Sequence, residues 1–261
     1  MSPQLSTRFE RISLDQQASA VHITLRHPPL NVIDIPMMEE LSSATTEIEA
    51  QPDISAIVLR GAGKCFSAGV DVAAHAPETV TEMLNKFHRV VRVLINSSKI
   101  TIAAIHGQCL GGGAELAMIC DIVITAESAE WGFPEIALGC YPPVACTALS
   151  ALAGQKRAAE LILTGREFDG REALSYGLAS SAVPEDQLED KLASLLRHLH
   201  QLSPAALALA KKAIYAWDSI HFDKGLARAE KIYLDELMKT EDAQEGIRAF
   251  LEKRHPTWKG R

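Results

Sequence analysis

The chain has no apolar run near the roughly 18–20 residues that a membrane-spanning helix needs. Its opening stretch, MSPQLSTRFERISLD, lacks an apolar signal core and carries acids, so a cytoplasmic protein is expected. Cysteine is scarce: five residues, at 65, 109, 120, 140 and 146, with no CxxC spacing. That argues against a disulfide framework or a zinc site and for free, mostly buried thiols. The nine histidines are scattered without HExxH, and His198 and His200, two apart, cannot share a helix face. Positive charge is in deficit, 26 Lys and Arg against 33 Asp and Glu, for a net charge of −7. Such a balance speaks against a nucleic-acid-binding surface. There is no internal repeat and no low-complexity segment.

What is present is 261 residues of ordinary globular composition, 47% hydrophobic, enough for one large domain or a domain with an appendage. One stretch organises the rest: ITIAAIHGQCLGGGAELAMICD, from Ile100 to Asp121. The β-branched run Ile100 to Ile105 reads as a buried strand. Gly111, Gly112 and Gly113 form a turn, and Ala114 to Cys120 are largely good helix formers. A turn of this kind leaves backbone N–H groups free at the helix start, with Glu115 in the first helical turn beside them. Two readings stay open on these residues alone. One is a site that stabilises a developing anion next to an acid/base group. The other is close strand–helix packing, with Glu115 merely complementing the helix dipole.

Further elements alternate. Strands are expected at Val21 to Leu25, Ile54 to Leu59, Ile122 to Thr125 and Ala179 to Val183. Helices are expected at Met37 to Glu49, started by Pro36, and at Thr79 to Ile95, where Met83, Phe87, Val90, Val91 and Leu94 share a face. Thr147 to Leu163 reads as helix broken at Gly154-Gln155, and Gly170 to Tyr176 as a short helix. Four helices are expected to close the chain: Glu185 to Leu202, Pro204 to Asp218, Asp223 to Met238 and Glu241 to Lys253. Alternating strands and helices predict an α/β core, residues 1–200, and the last ~60 residues a helical appendage, residues 201–261.

Several motifs fail. GAGKC at Gly61 to Cys65 is not a phosphate loop, because Val58 and Cys65 occupy positions that need Gly and Ser/Thr. The glycine cluster does not complete GxGxxG, since Leu116 holds the last position. Ser67 lacks the preceding glycine of a nucleophile elbow. Asp121 reads as a turn residue, and Trp131 and Phe133 as core. Three features remain that can act together: the Gly111–Gly113 turn, the turn Ser67 to Asp71, and Pro134-Glu135. If Glu115 and Glu135 meet, they form an acid/base pair, and two turns each offering an N–H would form an oxyanion hole.

With these residues assembled, the chain resembles the enoyl-CoA hydratase/isomerase (crotonase) superfamily over nearly its whole length. The carriers are RHPPLNVID at Arg26 to Asp34, FSAGVD at Phe66 to Asp71, IHGQCLGGGAELAMICDIVIT at Ile105 to Thr125, FPEIALG at Phe133 to Gly139 and LTGREFDGREALSYGLASSAV at Leu163 to Val183. The resemblance implies a crotonase-type β-β-α spiral core with a C-terminal helical oligomerisation region, assembled as a homotrimer or homohexamer. It implies an acyl-coenzyme A thioester as substrate, with no metal, no redox cofactor, no nucleic acid and no membrane. The N–H groups of Val70 and Gly112 would be the oxyanion-hole donors, and Glu115 and Glu135 the two catalytic glutamates. Ala68, Asp71, Val72, Gly111, Gly113, Tyr141 and Pro143 would contact substrate. Keeping both glutamates favours hydration; a double-bond isomerase and a non-catalytic binding protein of the same fold are the alternatives.

Two departures stand out. Pro142-Pro143-Val144-Ala145-Cys146 replaces the family's glycine-rich PGAGG-type segment, and Pro143 has no N–H, so the water site must be rebuilt. Val72-Ala73 stands where a polar residue often meets the coenzyme. The Pro28 to Pro36 and Tyr141 to Ala145 segments resemble cyclohexa-1,5-diene-1-carbonyl-CoA hydratases, which act on a cyclic dienoyl thioester. Lys253, Arg254 and Lys259 are either coenzyme-phosphate contacts or a solvated basic tail.

Overall fold

The computed structural model describes residues 9–215 and 219–260. Residues 1–8 of the opening stretch, and 216–218 of one expected helix, lie outside the described residues. The first half runs β1 (Ile12–Gln17), β2 (Ala20–Leu25), α1 (Ile35–Glu49), β3 (Ala56–Gly61), α2 (Val80–Ile95), β4 (Ile100–Ile105), β5 (Gln108–Leu110), α3 (Gly112–Met118), β6 (Ile122–Ala126) and β7 (Glu130–Gly132). The second half runs α4 (Pro143–Ala153), α5 (Gln155–Thr164), β8 (Phe168–Asp169), α6 (Gly170–Ser175), β9 (Ser181–Val183), α7 (Leu188–His200), α8 (Pro204–Tyr215), α9 (Ser219–Asp235) and α10 (Glu241–Leu251).

Six strands form one sheet in the order β1-β2-β3-β4-β6-β9, parallel except for the β1–β2 pair. Its central strands are buried on both faces, which is why they read as continuous apolar runs. Val21, Ile23, Leu25, Ile57, Leu59, Ala103 and Ile105 face the main core, shared with α1 and α2. Ala20, Val58, Ile102 and Ala104 face the opposite way, against Leu188, Leu192 and Leu199 of α7. A second sheet, β5-β7-β8, has only two or three residues per strand.

Two differences from the sequence expectation matter. β1 was not expected; its ISLDQQ is an edge strand whose only buried residue is Ile12. Helix α4 begins at Pro143, four residues before the expected Thr147. Proline is well placed there, because the first helical N–H has no intrahelical acceptor in any case. Asp121 is structural, as read. Its Oδ2 accepts from Thr101 N at 2.7 Å and meets the buried Lys211 Nζ of α8 at 2.8 Å. Trp131 and Phe133 are core, Trp131 donating Nε1–H to Thr125 Oγ1 at 3.0 Å.

The C-terminal helices pack back on the core. The His88 ring on α2 meets Glu230 on α9 at 2.9 Å, and Tyr141 Oη donates to the Ala229 carbonyl at 2.6 Å. Helix α10 lies against the one-turn helix Pro134–Leu138, so closely that a Cβ on Gly246 would sit 2.2 Å from the Leu138 carbonyl. No helix among the described residues is long and apolar enough to cross a membrane.

Candidate active site

The segment between β2 and α1 and the turn that leaves β3 are locked together. Asn31, buried and at φ 51°, donates its side-chain amide to the carbonyls of Ala62, Cys65 and Phe66 at 2.8, 2.9 and 3.2 Å. Ser67 Oγ donates to the Asn31 carbonyl at 2.8 Å and accepts from Gly69 N at 3.1 Å. Ile33 then brackets Val70: its N–H donates to Gly69 O at 2.9 Å and its carbonyl accepts from Asp71 N at 3.1 Å. The RHPPLNVID segment is therefore the scaffold of the FSAGVD turn.

Each of the three glycines answers a different neighbour. Gly111 has φ 50° and ψ −126°, a conformation that L side chains rarely adopt, and a Cβ there would lie 2.5 Å from Glu135 Oε1. A Cβ on Gly112 would lie 2.5 Å from Val70 Cγ2, and one on Gly113 2.9 Å from the Ser67 carbonyl. The close-packing reading of this turn is thus correct, and what it packs against is the other turn and the second glutamate. Among the described residues, no loop or turn hydrogen bond takes up the N–H of Val70 or of Gly112.

Both turns line a pocket of about 70 Å³ that also holds Glu115 and Glu135. Glu115, buried on α3, accepts from Ala145 N at 2.8 Å. Ala145 is the third residue of α4, so this carboxylate sits at the helix start that Pro143 opens. The backbone donor expected to be lost at Pro143 is supplied two residues on, and it goes to Glu115. Burial raises the pKa of Glu115, and the N–H groups of Ala145 and Val144 hold it partly down. Glu135, on the one-turn helix Pro134–Leu138, is raised by burial and then by the charge of Glu115. Its Oε2 is buried and has no hydrogen-bond partner among the described residues. Two carboxyls with raised pKa values facing a single pocket are an arrangement that can both take up and deliver a proton.

Of the residues expected at the site, Ala68, Val70, Val72, Gly111, Gly112, Glu115, Glu135, Tyr141 and Pro143 line this pocket. Asp71 and Gly113 do not. The Asp71 carboxylate caps the turn Val72–His75 by accepting from Ala73 N at 3.0 Å, and Gly113 is packed on Ser67. The sequence reading missed His75, Met83, Leu84, Phe87, Leu138 and Tyr233 in the wall. Met83 and Phe87 had a signal, the apolar face of α2, but it is the same signal that a core residue gives. A larger apolar groove of about 770 Å³, between α3–α5 and α8–α9, shares Tyr141 but contains neither glutamate. Two of the three tail cations are engaged within the chain: Arg254 pairs with Glu245 and Glu252, and Lys259 with Glu241 at 2.6 Å. Among the described residues, no cluster of three or more His, Cys, Asp or Glu is arranged to hold a metal ion.

Residues 15–261 match the family described as enoyl-CoA hydratase/isomerase. A protein of Mycobacterium bovis described as a probable enoyl-CoA hydratase is 37% identical over 251 residues, 95% of this chain and 97% of that one. The cyclohexa-1,5-dienecarbonyl-CoA hydratase of Thauera aromatica is 34% identical over 251 residues, 96% of this chain and 97% of its own length. The crystal structure of an enoyl-CoA hydratase from Mycobacterium avium subsp. paratuberculosis superposes with a TM-score of 0.87 at 25% identity, covering 96% of this chain and 99% of that one.

Proposed function

Because the chain belongs to the enoyl-CoA hydratase/isomerase family and is a hydratase-like enzyme, we propose that it adds water to an α,β-unsaturated acyl-CoA thioester. The observation that carries this reading is one pocket holding two carboxyls, the buried Glu115 and the half-buried Glu135 with its Oε2 shielded, and two uncommitted backbone N–H groups. In this reading the thioester oxygen lies between the N–H groups of Val70 and Gly112. Fixed donors there stabilise the enolate-like charge, because they need no reorganisation as it develops. Glu115, favoured as the anion by Ala145 N–H, takes a proton from water as the water oxygen bonds to the β-carbon. The π-electron pair moves toward the thioester, and protonated Glu135 delivers its proton to the α-carbon. The reverse sequence removes water.

The Thauera aromatica relative and the Tyr141-Pro142-Pro143 segment favour a cyclic conjugated dienoyl group over a linear one. Product analysis in ¹⁸O-labelled water tests both levels, with a short linear 2-enoyl-CoA and cyclohexa-1,5-diene-1-carbonyl-CoA in parallel. Labelled hydroxyl in the cyclic product alone supports the full reading. Label in the linear product alone keeps the hydratase and replaces the acyl group. A shifted double bond without label makes the protein an isomerase.

Residues 201–261 are, in this reading, the helical oligomerisation region of a trimer or hexamer. Leu209 and Ile214 of α8 support it, since both are more than 60% exposed in the single chain.

A further inference from the structure

Tyr233 lies on α9, more than a hundred residues from either turn, and no motif pointed to it. Its side chain is 1% exposed, yet its Oη has no oxygen or nitrogen partner among the described residues and only the Cys140 sulfur beside it as an acceptor. The neighbouring Cys140 thiol is a weak partner and is directed at the Leu138 carbonyl, 3.6 Å away. Its ring packs edge-on against Tyr141, with centroids 5.1 Å apart. Tyr141 has spent its hydroxyl on the Ala229 carbonyl, so the two phenols are not equivalent.

A buried hydroxyl without a partner carries a desolvation cost, and a fold under no other demand removes it by using phenylalanine. Here a second atom in the same pocket has the same defect. Glu135 Oε2 is also buried and unpartnered, and it does not bond to Tyr233 Oη. The two residues come from distant parts of the chain and line one pocket of about 70 Å³. A water-sized group needs only on the order of 10–15 Å³. Burial keeps the phenol protonated, so it is available as a donor.

Resting on the hydratase reading, we propose that Tyr233 Oη–H holds the oxygen that is added to or removed from the acyl chain. Water has two lone pairs; one accepts from Tyr233 while the other attacks the β-carbon. The water proton goes to the carboxylate, and Tyr233 transfers none. In the hydroxyacyl product the same Oη–H bonds to the new hydroxyl. Tyr233 thereby supplies from α9 an orienting donor that Pro143, without an N–H, cannot provide.

The test compares wild type with Tyr233→Phe by calorimetric titration with 3-hydroxybutyryl-CoA and with saturated butyryl-CoA, and by kcat and KM on crotonyl-CoA and on cyclohexa-1,5-diene-1-carbonyl-CoA, whichever is turned over. One lost hydrogen bond to the ligand hydroxyl predicts about three- to tenfold weaker binding of the hydroxy ligand. Butyryl-CoA affinity should stay unchanged, kcat should fall while KM holds, and the melting temperature should not drop. A merely structural phenol would move the melting temperature and leave the two ligands' affinity ratio alone. An active variant that keeps the wild-type preference for the hydroxy ligand overturns the role of Tyr233 and leaves the hydratase reading standing. A wild-type protein that binds both thioesters but hydrates neither crotonyl-CoA nor cyclohexa-1,5-diene-1-carbonyl-CoA overturns the hydratase reading, and the role of Tyr233 falls with it.

Discussion

Replacing Gly111 with alanine separates the stability of this fold from its chemistry. Two costs can be worked out. The backbone at φ 50°, ψ −126° is sparsely populated by L residues, which costs about 1–3 kcal/mol. In a chain of this size that lowers the melting temperature by roughly 2–4 °C per kcal/mol. The new Cβ would lie 2.5 Å from Glu135 Oε1. Relaxed carbon–oxygen contacts begin near ~3.3 Å, so the carboxylate must retreat by about 0.8 Å. It can do so, because it is the far end of a flexible side chain; the protein folds and the acid is displaced. A misplacement of about 1 Å costs on the order of 10²-fold in rate. Thermal melting and steady-state hydration of an enoyl-CoA, followed by loss of the conjugated thioester absorbance, measure the two effects separately. A folded Gly111→Ala protein with wild-type kcat would refute the argument that this glycine exists to admit Glu135.

Glu135→Gln should lower turnover by about 10²–10⁴-fold while the fold survives. The same variant tests the pKa shift through stability. A carboxyl whose folded pKa is raised holds its proton longer in the folded state, so wild-type stability falls as pH rises from the ordinary carboxylate range toward the raised value. Glu135→Gln should flatten that decline in denaturant titrations across the window; an unchanged slope would mean the carboxyl is not perturbed. Lys211→Ala removes the cation facing the part-buried Asp121, which keeps its bonds from Thr101, and should cost on the order of 1.5–3 kcal/mol with kcat retained, measured by urea unfolding beside kinetics. Light scattering on the eluting protein should give three or six times 28.3 kDa, and Leu209→Glu should reduce it; a monodisperse monomer would count against the oligomer.

The part of the site legible in the sequence is the part made by short-range chemistry. Ile100 to Ile105 announces a strand because both its faces are buried, and Gly111 to Gly113 can only be a turn. β1 gave no signal because an edge strand needs only Ile12 inward. β5, β7 and β8 are too short for a period to register, and their pairing partners lie far apart in the chain. Pro143 was read as a missing donor, whereas its position as the first residue of α4 makes Ala145 the donor. The meeting of Glu115 and Glu135 was legible only through family resemblance. It depends on a one-turn helix lying under Gly111, and no spacing rule encodes that. Tyr233 left no trace, because one tyrosine on an amphipathic helix looks like any other.

The docking of α9 and α10 has a consequence for synthesis on the ribosome. Residues of the pocket or its frame come from Asn31, from Val70, from Gly112 to Glu115, from Glu135 to Ala145, from Tyr233 and from Gly246. The two turns and both glutamates emerge before the wall behind them, which comes from α9 and α10. Until α10 has cleared the exit tunnel, the one-turn helix that carries Glu135 has nothing to rest against on that side. A nascent chain therefore holds both turns and both glutamates before it has the Tyr233 hydroxyl of α9 and the enclosure that raises the glutamates' pKa values. A chain cut before Gly246 keeps both glutamates and loses the helix against which the one-turn helix Pro134–Leu138 rests.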